Sequence, residues 1–78
     1  MANIPDIMRR ATAAFARGDM NLALREARQA ESADPRNAAI IQFIGVVLCS
    51  DGRPAEGLAE FRRAIALSPR DTALRFNA

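Results

Sequence analysis

Few side chains in this sequence can carry out chemistry, and several reactive residue types are missing. The chain contains no His, Lys, Tyr or Trp, and all 11 of its basic residues are arginine. It therefore lacks the commonest general base, a lysine for Schiff-base formation and a tyrosine that could act as an acid. Cys49 is the single cysteine, so an internal disulfide and a cysteine zinc site are both excluded. Without a histidine to raise its thiolate fraction, Cys49 is expected to be a small apolar filler.

Three aspartates could be considered as metal ligands, but their positions favour a structural role. Asp19, Asp51 and Asp71 each lie at a predicted turn, where a short carboxylate can accept hydrogen bonds from the first free N–H groups of a helix. We therefore expect caps rather than a metal site. The sequence predicts no catalytic residue, no metal and no cofactor, and we expect a protein that is not an enzyme.

The arginines are dispersed among acidic residues, so the net charge is only +2. This mixed pattern is typical of solvated helix faces. A site for nucleic acid would be less balanced in charge and would carry stacking aromatic residues beside the basic ones. The pairs Arg9-Arg10 and Arg62-Arg63 are accordingly interpreted as surface, and no nucleic-acid partner is predicted.

No segment of the sequence resembles a targeting or membrane signal. The start, Met-Ala-Asn-Ile-Pro-Asp, has neither a basic leader nor an apolar run typical of a signal peptide. The longest apolar stretch, residues 38–49, is interrupted by Gln42 and is shorter than the ~20 residues that a membrane span needs. We expect a cytoplasmic protein without a membrane partner.

The elements that must position these residues are helices. The 78 residues allow one small domain, alanine is the commonest residue with 17 copies, and β-branched residues are few. Glycine and proline punctuate the chain, and Asp19 and Asn37 are suited to cap helices. The predicted helices cover residues 5–17, 20–33, 38–50 and 54–67, and a fifth starts at Thr72.

The chain repeats itself after 34 residues. This displacement aligns the following pairs: Gly18 with Gly52, Leu24 with Leu58, Glu26 with Glu60, Arg28 with Arg62, Ala30 with Ala64 and Pro35 with Pro69. A helix–turn–helix period of 34, with small residues at set places and proline in the turn, resembles the tetratricopeptide repeat family. The first repeat covers 4–37 and the second 38–71, and 72–78 resembles the opening of a third. Arg10 and Ala27 depart from the family's pattern.

The resemblance implies an all-α fold of antiparallel helical hairpins, stacked as a short right-handed solenoid. Gly45 is expected to face Gly57, and Ala11 to face Ala23, so that paired helices approach closely. Apolar filling is expected from residues of the fourth helix, namely Leu58, Phe61, Ile65 and Leu67.

The resemblance also implies a binding function, because one face of each first helix lines a concave groove in such arrays. By helical spacing, the groove residues are Met8, Arg9, Thr12, Phe15, Gln42, Phe43, Val46, Cys49 and Phe76. We expect this mostly apolar groove to bind an amphipathic helix or an extended peptide of another protein. The alternative is that Phe43 and Val46 belong to the core, since residues 38–49 are apolar on nearly all sides.

The number of repeats predicts that the chain is part of a larger protein. Arrays of this family usually contain at least three repeats, and they occur at one end of larger proteins that include bacterial transferases. We therefore expect the chain to be the N-terminal part of a larger protein. The alternative function is structural: the chain is a small self-associating domain. A second copy would complete its open C-terminal end in a homodimer, with Ile65 and Leu74 near the contact.

Overall fold

The computed structural model describes residues 3–68, and these residues form four α-helices and no strand. The helices are α1 (Ile4–Ala16), α2 (Met20–Ala33), α3 (Ala38–Ser50) and α4 (Pro54–Leu67). The predicted all-α class is confirmed. The predicted bounds of α2, α3 and α4 agree with the structure, and α1 begins and ends one residue earlier than predicted. The predicted fifth helix, with Asp71, Leu74 and Phe76, lies outside the described residues.

Side-chain caps set the starts of three helices. The Asp19 carboxylate accepts a hydrogen bond from the Leu22 N–H at 3.1 Å, and the Asn37 side chain accepts from the Ala39 N–H at 3.0 Å. Both predicted caps are confirmed. The sequence interpretation missed the cap of α1, where Asn3 accepts from the backbone N–H of residue 6 at 2.9 Å. A side-chain cap of this kind stabilises a helix by about 1 kcal/mol.

Asp51 caps the end of α3 and not the start of α4: it is the C-cap residue of α3, and its backbone N–H donates to the Val47 carbonyl oxygen at 2.9 Å. Arg53, not Asp51, is the N-cap residue of α4, and its side chain makes no capping hydrogen bond. The Asp51 carboxylate instead forms an ion pair with Arg53 at 3.8 Å. Because α4 starts with Pro54, which has no N–H, one fewer donor at this end needs a partner.

Two glycines make the turns that follow α1 and α3. Gly18 has φ +80° and Gly52 has φ +75°, in the left-handed region that other residues rarely adopt. Each glycine follows the C-cap residue of its helix, as predicted, so the chain can reverse within three residues.

Successive helices pack against one another, in the order α1 on α2, α2 on α3 and α3 on α4. Small residues and branched residues fill different parts of the interior. The α1–α2 contact is lined by fully buried alanines, namely Ala11, Ala14, Ala23, Ala27 and Ala30. Large side chains come from α3, with Ile40, Ile41, Ile44, Val47 and Leu48 all buried. The short alanine side chains of α1 and α2 therefore let these two helices pack closely, and α3 supplies most of the large buried side chains.

The second hairpin is closed by two glycines that face each other. A Cβ atom on Gly57 would lie 2.8 Å from the carbonyl oxygen of Gly45, and one on Gly45 would lie 3.1 Å from that of Gly57. The predicted Gly45–Gly57 approach is confirmed. Phe61 completes the contact, because its ring atom Cε1 lies 2.8 Å from where a Gly45 Cβ would be.

The prediction that Leu58 and Ile65 act as apolar filling is wrong for the described part of the chain. Leu58 is 48% exposed and Ile65 is 42% exposed. Among residues 3–68, no helix packs over the outer side of α4. Phe61 and Leu67 are half-buried, so only part of the predicted set contributes to the interior.

None of the helices between residues 3 and 68 is long and apolar enough to cross a membrane.

Candidate partner-binding face

The residues predicted to line the groove lie on α1 and α3, and an aromatic contact joins the two helices. The rings of Phe15 and Phe43 meet edge to face, with centroids 6.0 Å apart and planes at 66°. We call the surface around this contact the α1–α3 face. Its members are Met8, Arg9, Thr12 and Phe15 on α1, and Gln42, Phe43, Val46 and Cys49 on α3. Phe76, the remaining predicted groove residue, lies beyond the described residues.

The side chains of this face differ in how far they are buried. Met8, Phe15 and Phe43 are half-buried and pack against the core clusters formed by α1, α2 and α3. Val46 is 38% exposed. The alternative that Val46 belongs to the core is therefore wrong, whereas Phe43 contributes both to the interior and to the surface. Aromatic rings that pack against the core on one side are held rigidly, so they are suited to act as anchors for a partner.

The exposed side of α3 carries no charge. No Asp, Glu, Lys or Arg occurs in α3, and its surface positions follow one helical stripe. These exposed or half-buried positions are Ala38, Ala39, Gln42, Phe43, Val46, Cys49 and Ser50. A stripe of this kind on a small protein is typical of an interaction surface, because a solvated helix face normally carries charged residues.

The α1 side of the face adds polar groups at one edge. Arg9 forms an ion pair with Asp6 at 3.1 Å, and its side chain is 78% exposed. A pair so exposed contributes little to stability, so Arg9 can exchange Asp6 for an acidic group of a partner at small cost. The Thr12 hydroxyl donates a hydrogen bond to the carbonyl oxygen of Met8 at 2.8 Å.

Cys49 lies at the α4 side of the same face. The residue is exposed, and its Sγ occupies the space into which a Cβ on Gly57 would project. The sulfur therefore fills space against α4, as predicted, although the residue is not buried. Among residues 3–68, no three side chains of His, Cys, Asp or Glu gather in a cluster that could hold a metal ion.

A separate cleft lies on the other side of α1. It has a volume of about 290 Å³ and is lined by Arg10, Ala13, Arg17, Leu22 and Glu26. Arg10 Nε donates to Glu26 Oε1 at 2.9 Å, which ties α1 to α2 across this cleft. This ion pair gives the exposed Arg10 side chain a partner on α2. None of the residues predicted to bind a partner lines the cleft.

Sequence reasoning missed a ring of four charged side chains that joins α2 to α4. Arg28 lies 3.0 Å from Glu31 and 2.9 Å from Glu60, and Arg63 lies 2.7 Å from Glu31 and also pairs with Glu60. We call this the Arg/Glu ring. Each carboxylate oxygen has its own guanidinium partner, and Glu60 is only 8% exposed. Arg63, predicted to be simple surface, therefore forms part of an ionic contact between α2 and α4.

The Arg/Glu ring sets the charge state of Glu31. Burial acts to raise the pKa of Glu31, but hydrogen bonds from Arg63 and Arg28 outweigh it and leave that pKa below its usual value. Burial acts to lower the pKa of Arg28, but its hydrogen bonds to Glu31 and Glu60 outweigh this effect and raise that pKa. Both side chains are thus held in their charged forms at neutral pH.

Acid is expected to weaken the ionic contact between α2 and α4. Because the pKa of Glu31 is lower in the folded chain than in the unfolded one, its stabilisation is present above the unfolded value of 4.5 and is lost as the pH falls through the lower folded value. The free energy of unfolding, measured by urea titration from pH 7 downward, should fall in this window. Glu31→Gln should flatten that dependence, and an unchanged acid slope in this variant would contradict the assignment.

Comparison with known proteins adds no relative, since no family model, curated protein or solved structure matches the chain. The fold itself shows an all-helical arrangement of residues 3–68, in which α1 packs on α2 and α3 packs on α4 as helical hairpins.

Proposed function

We propose that the chain is a tetratricopeptide-like repeat module that binds another protein through the α1–α3 face. The spacing of the helices supports the repeat: α3 begins 34 residues after α1, and α4 begins 34 residues after α2. Corresponding helices also have equal lengths, 13 residues for α1 and α3 and 14 residues for α2 and α4. Equal lengths and equal spacing are expected of two copies of one hairpin.

The observation that carries the binding proposal is the uncharged exposed stripe of α3. It meets α1 through the Phe15–Phe43 contact, and Val46 lies exposed on the same stripe. An amphipathic helix or an extended peptide with apolar side chains can bury these groups. Arg9, at the edge of the face, offers a cation for an acidic residue of that peptide.

Val46→Glu is expected to weaken peptide binding at least tenfold while leaving the fold intact. Val46 is exposed, so a glutamate there costs little in the free chain, but a bound apolar segment would have to cover its charge. The probe is a peptide selected from a random displayed library against the unaltered chain. Dissociation constants are measured by isothermal titration calorimetry, and helicity by circular dichroism.

Gln29→Glu is the matched control for this experiment. Gln29 is exposed on α2, outside the α1–α3 face, and the exchange adds the same single negative charge. Its dissociation constant should remain within about twofold of that of the unaltered chain, which corresponds to less than about 0.5 kcal/mol. Equal weakening by both variants would indicate a general charge effect and would contradict binding at the α1–α3 face.

A further inference from the structure

The cleft between α1 and α2 has an arginine at each end and an apolar floor. We call it the α1–α2 cleft, and it is lined by Arg10, Ala13, Arg17, Leu22 and Glu26. The two arginines lie seven residues apart, which corresponds to about 10 Å along the axis of α1. Between them the lining is the exposed methyl group of Ala13 and the half-buried side chain of Leu22. The volume of about 290 Å³ is close to the roughly 300 Å³ at which sites for small molecules begin.

The two ends of the α1–α2 cleft differ in charge. Arg10 Nε donates to Glu26 Oε1 at 2.9 Å, so that end is occupied by a neutral ion pair. Arg17 is exposed and makes no ion pair with any carboxylate between residues 3 and 68. The acid that follows it most closely in the sequence, Asp19, is engaged as the N-cap of α2. The cleft therefore offers one uncompensated cation, at the Arg17 end.

A helix is a poor occupant of this side of α1. The 34-residue displacement places Arg10 and Ala13 on Ile44 and Val47, which are buried in the core. Where α3 has large apolar side chains for packing, α1 therefore has a charge and a methyl group. A helix laid over this side would take the Arg10–Glu26 pair out of water, and the loss of hydration opposes such burial. A narrow ligand that lies along the floor leaves this pair hydrated.

The chemistry of such a ligand follows from the lining. A guanidinium without a partner selects a carboxylate, which it can bind through two parallel hydrogen bonds. We propose that the α1–α2 cleft binds a small monocarboxylate with an unbranched apolar tail. Its carboxylate pairs with Arg17, and its tail lies on Ala13 and Leu22. The tail ends beside the Arg10–Glu26 pair, where Glu26 repels a second carboxylate. This site is separate from the α1–α3 face and does not depend on the function proposed for that face.

The first test titrates octanoate into the full chain and follows the backbone amides by NMR. The largest shifts should fall on Ala13, Arg17 and Leu22. Octanol has the same number of carbons without the charge, and acetate has the charge without the tail. Each should bind at least about tenfold more weakly than octanoate, a difference of about 1.4 kcal/mol or more. Equal binding of octanol and octanoate, or no saturation with millimolar octanoate, would overturn the proposal.

Arg17→Gln separates the charge of the site from its shape. It should weaken octanoate at least about tenfold and octanol by less than about twofold. Arg36→Gln is the matched control, because it removes one positive charge from an exposed residue in the turn between α2 and α3. Its dissociation constant for octanoate should stay within about twofold of that of the unaltered chain. Equal weakening by the two variants would show a general effect of net charge and would overturn the proposal.

Ala13→Leu fills the floor of the cleft and should abolish octanoate binding. Because Ala13 is exposed, the midpoint of thermal unfolding should change by less than about 2 °C. Ala59→Leu adds the same side chain at an exposed position of α4 and should leave binding unchanged. Retained binding in Ala13→Leu would overturn the proposal. Shifts that fall on Phe15 and Val46 would assign the ligand to the α1–α3 face and would also overturn it.

Discussion

Gly57→Leu is expected to destabilise the chain by about 3 kcal/mol, the upper end of the usual cost of overpacking a close contact. A Cβ atom at position 57 would lie 2.8 Å from the Gly45 carbonyl oxygen and 3.2 Å from the Cys49 backbone nitrogen. Both obstacles are backbone atoms of α3, so relief requires α3 and α4 to move apart. Since a chain of this size has little stability to lose, urea titration should show a largely unfolded population in water.

Two further variants separate the close contact from general effects of the substitution. Gly57→Ala should destabilise less, because alanine favours the helix by about 1 kcal/mol over glycine and so offsets part of the clash. Ala59→Leu, at an exposed position two residues along α4, should change the free energy of unfolding by less than about 0.5 kcal/mol. If Gly57→Leu were as stable as Ala59→Leu, the crossing of α3 and α4 would not depend on these glycines.

Ile44→Ala is expected to destabilise by about 2–5 kcal/mol, the usual cost of truncating a large buried aliphatic residue. Ile44 is 0% exposed and belongs to the cluster in which α1, α2 and α3 meet. Three members of the same cluster, Ala11, Ala27 and Ala30, have side chains too short to move into the cavity that its removal leaves. Thermal unfolding followed by circular dichroism measures the loss.

Val46→Ala is the control for Ile44→Ala on the same helix. Val46 is 38% exposed and makes fewer contacts that can be lost, so the expected change is below about 1 kcal/mol. If both variants destabilised equally, the outward side of α3 would be part of a core. The interpretation of the α1–α3 face as a binding surface would then fail.

The bounds of the helices could be predicted because local chemistry sets them. Gly18 and Gly52 adopt the positive φ that glycine favours, and Asp19 and Asn37 accept hydrogen bonds from the free N–H groups that follow them. The cap at Asn3 was not predicted, because Pro5 predicts a helix that starts at residue 5, whereas the Asn3 side chain caps a helix that starts at Ile4. Such errors are small, since each cap acts within one turn.

The distant contacts could not be predicted with the same certainty. Arg63 and Glu31 are 32 residues apart, and their pairing depends on how α2 and α4 are placed in space. The order Arg28–Glu31 on one helix and Glu60–Arg63 on the other is complementary, and this signal could have identified the Arg/Glu ring. It was overlooked because charged residues at helical spacing usually lie on a solvated face.

The candidate site was only partly accessible to sequence reasoning for a different reason. Nearly every residue of α3 is apolar, so hydrophobic periodicity does not distinguish its inner side from its outer side. Helical spacing along α3 predicts that Phe43 and Val46 lie on one face. Only the structure shows that the Phe43 ring is half-buried and that Val46 is exposed. The exposure of Leu58 and Ile65 depends equally on what packs against α4.

Partner binding at the α1–α3 face is tested most directly by backbone amide NMR of the full chain, titrated with the selected peptide. The predicted result is that the largest shifts fall on Thr12, Phe15, Val46 and Cys49, which line the face on α1 and α3. Shifts confined to α2 and α4, at exposed residues such as Gln29, would contradict the proposed binding face.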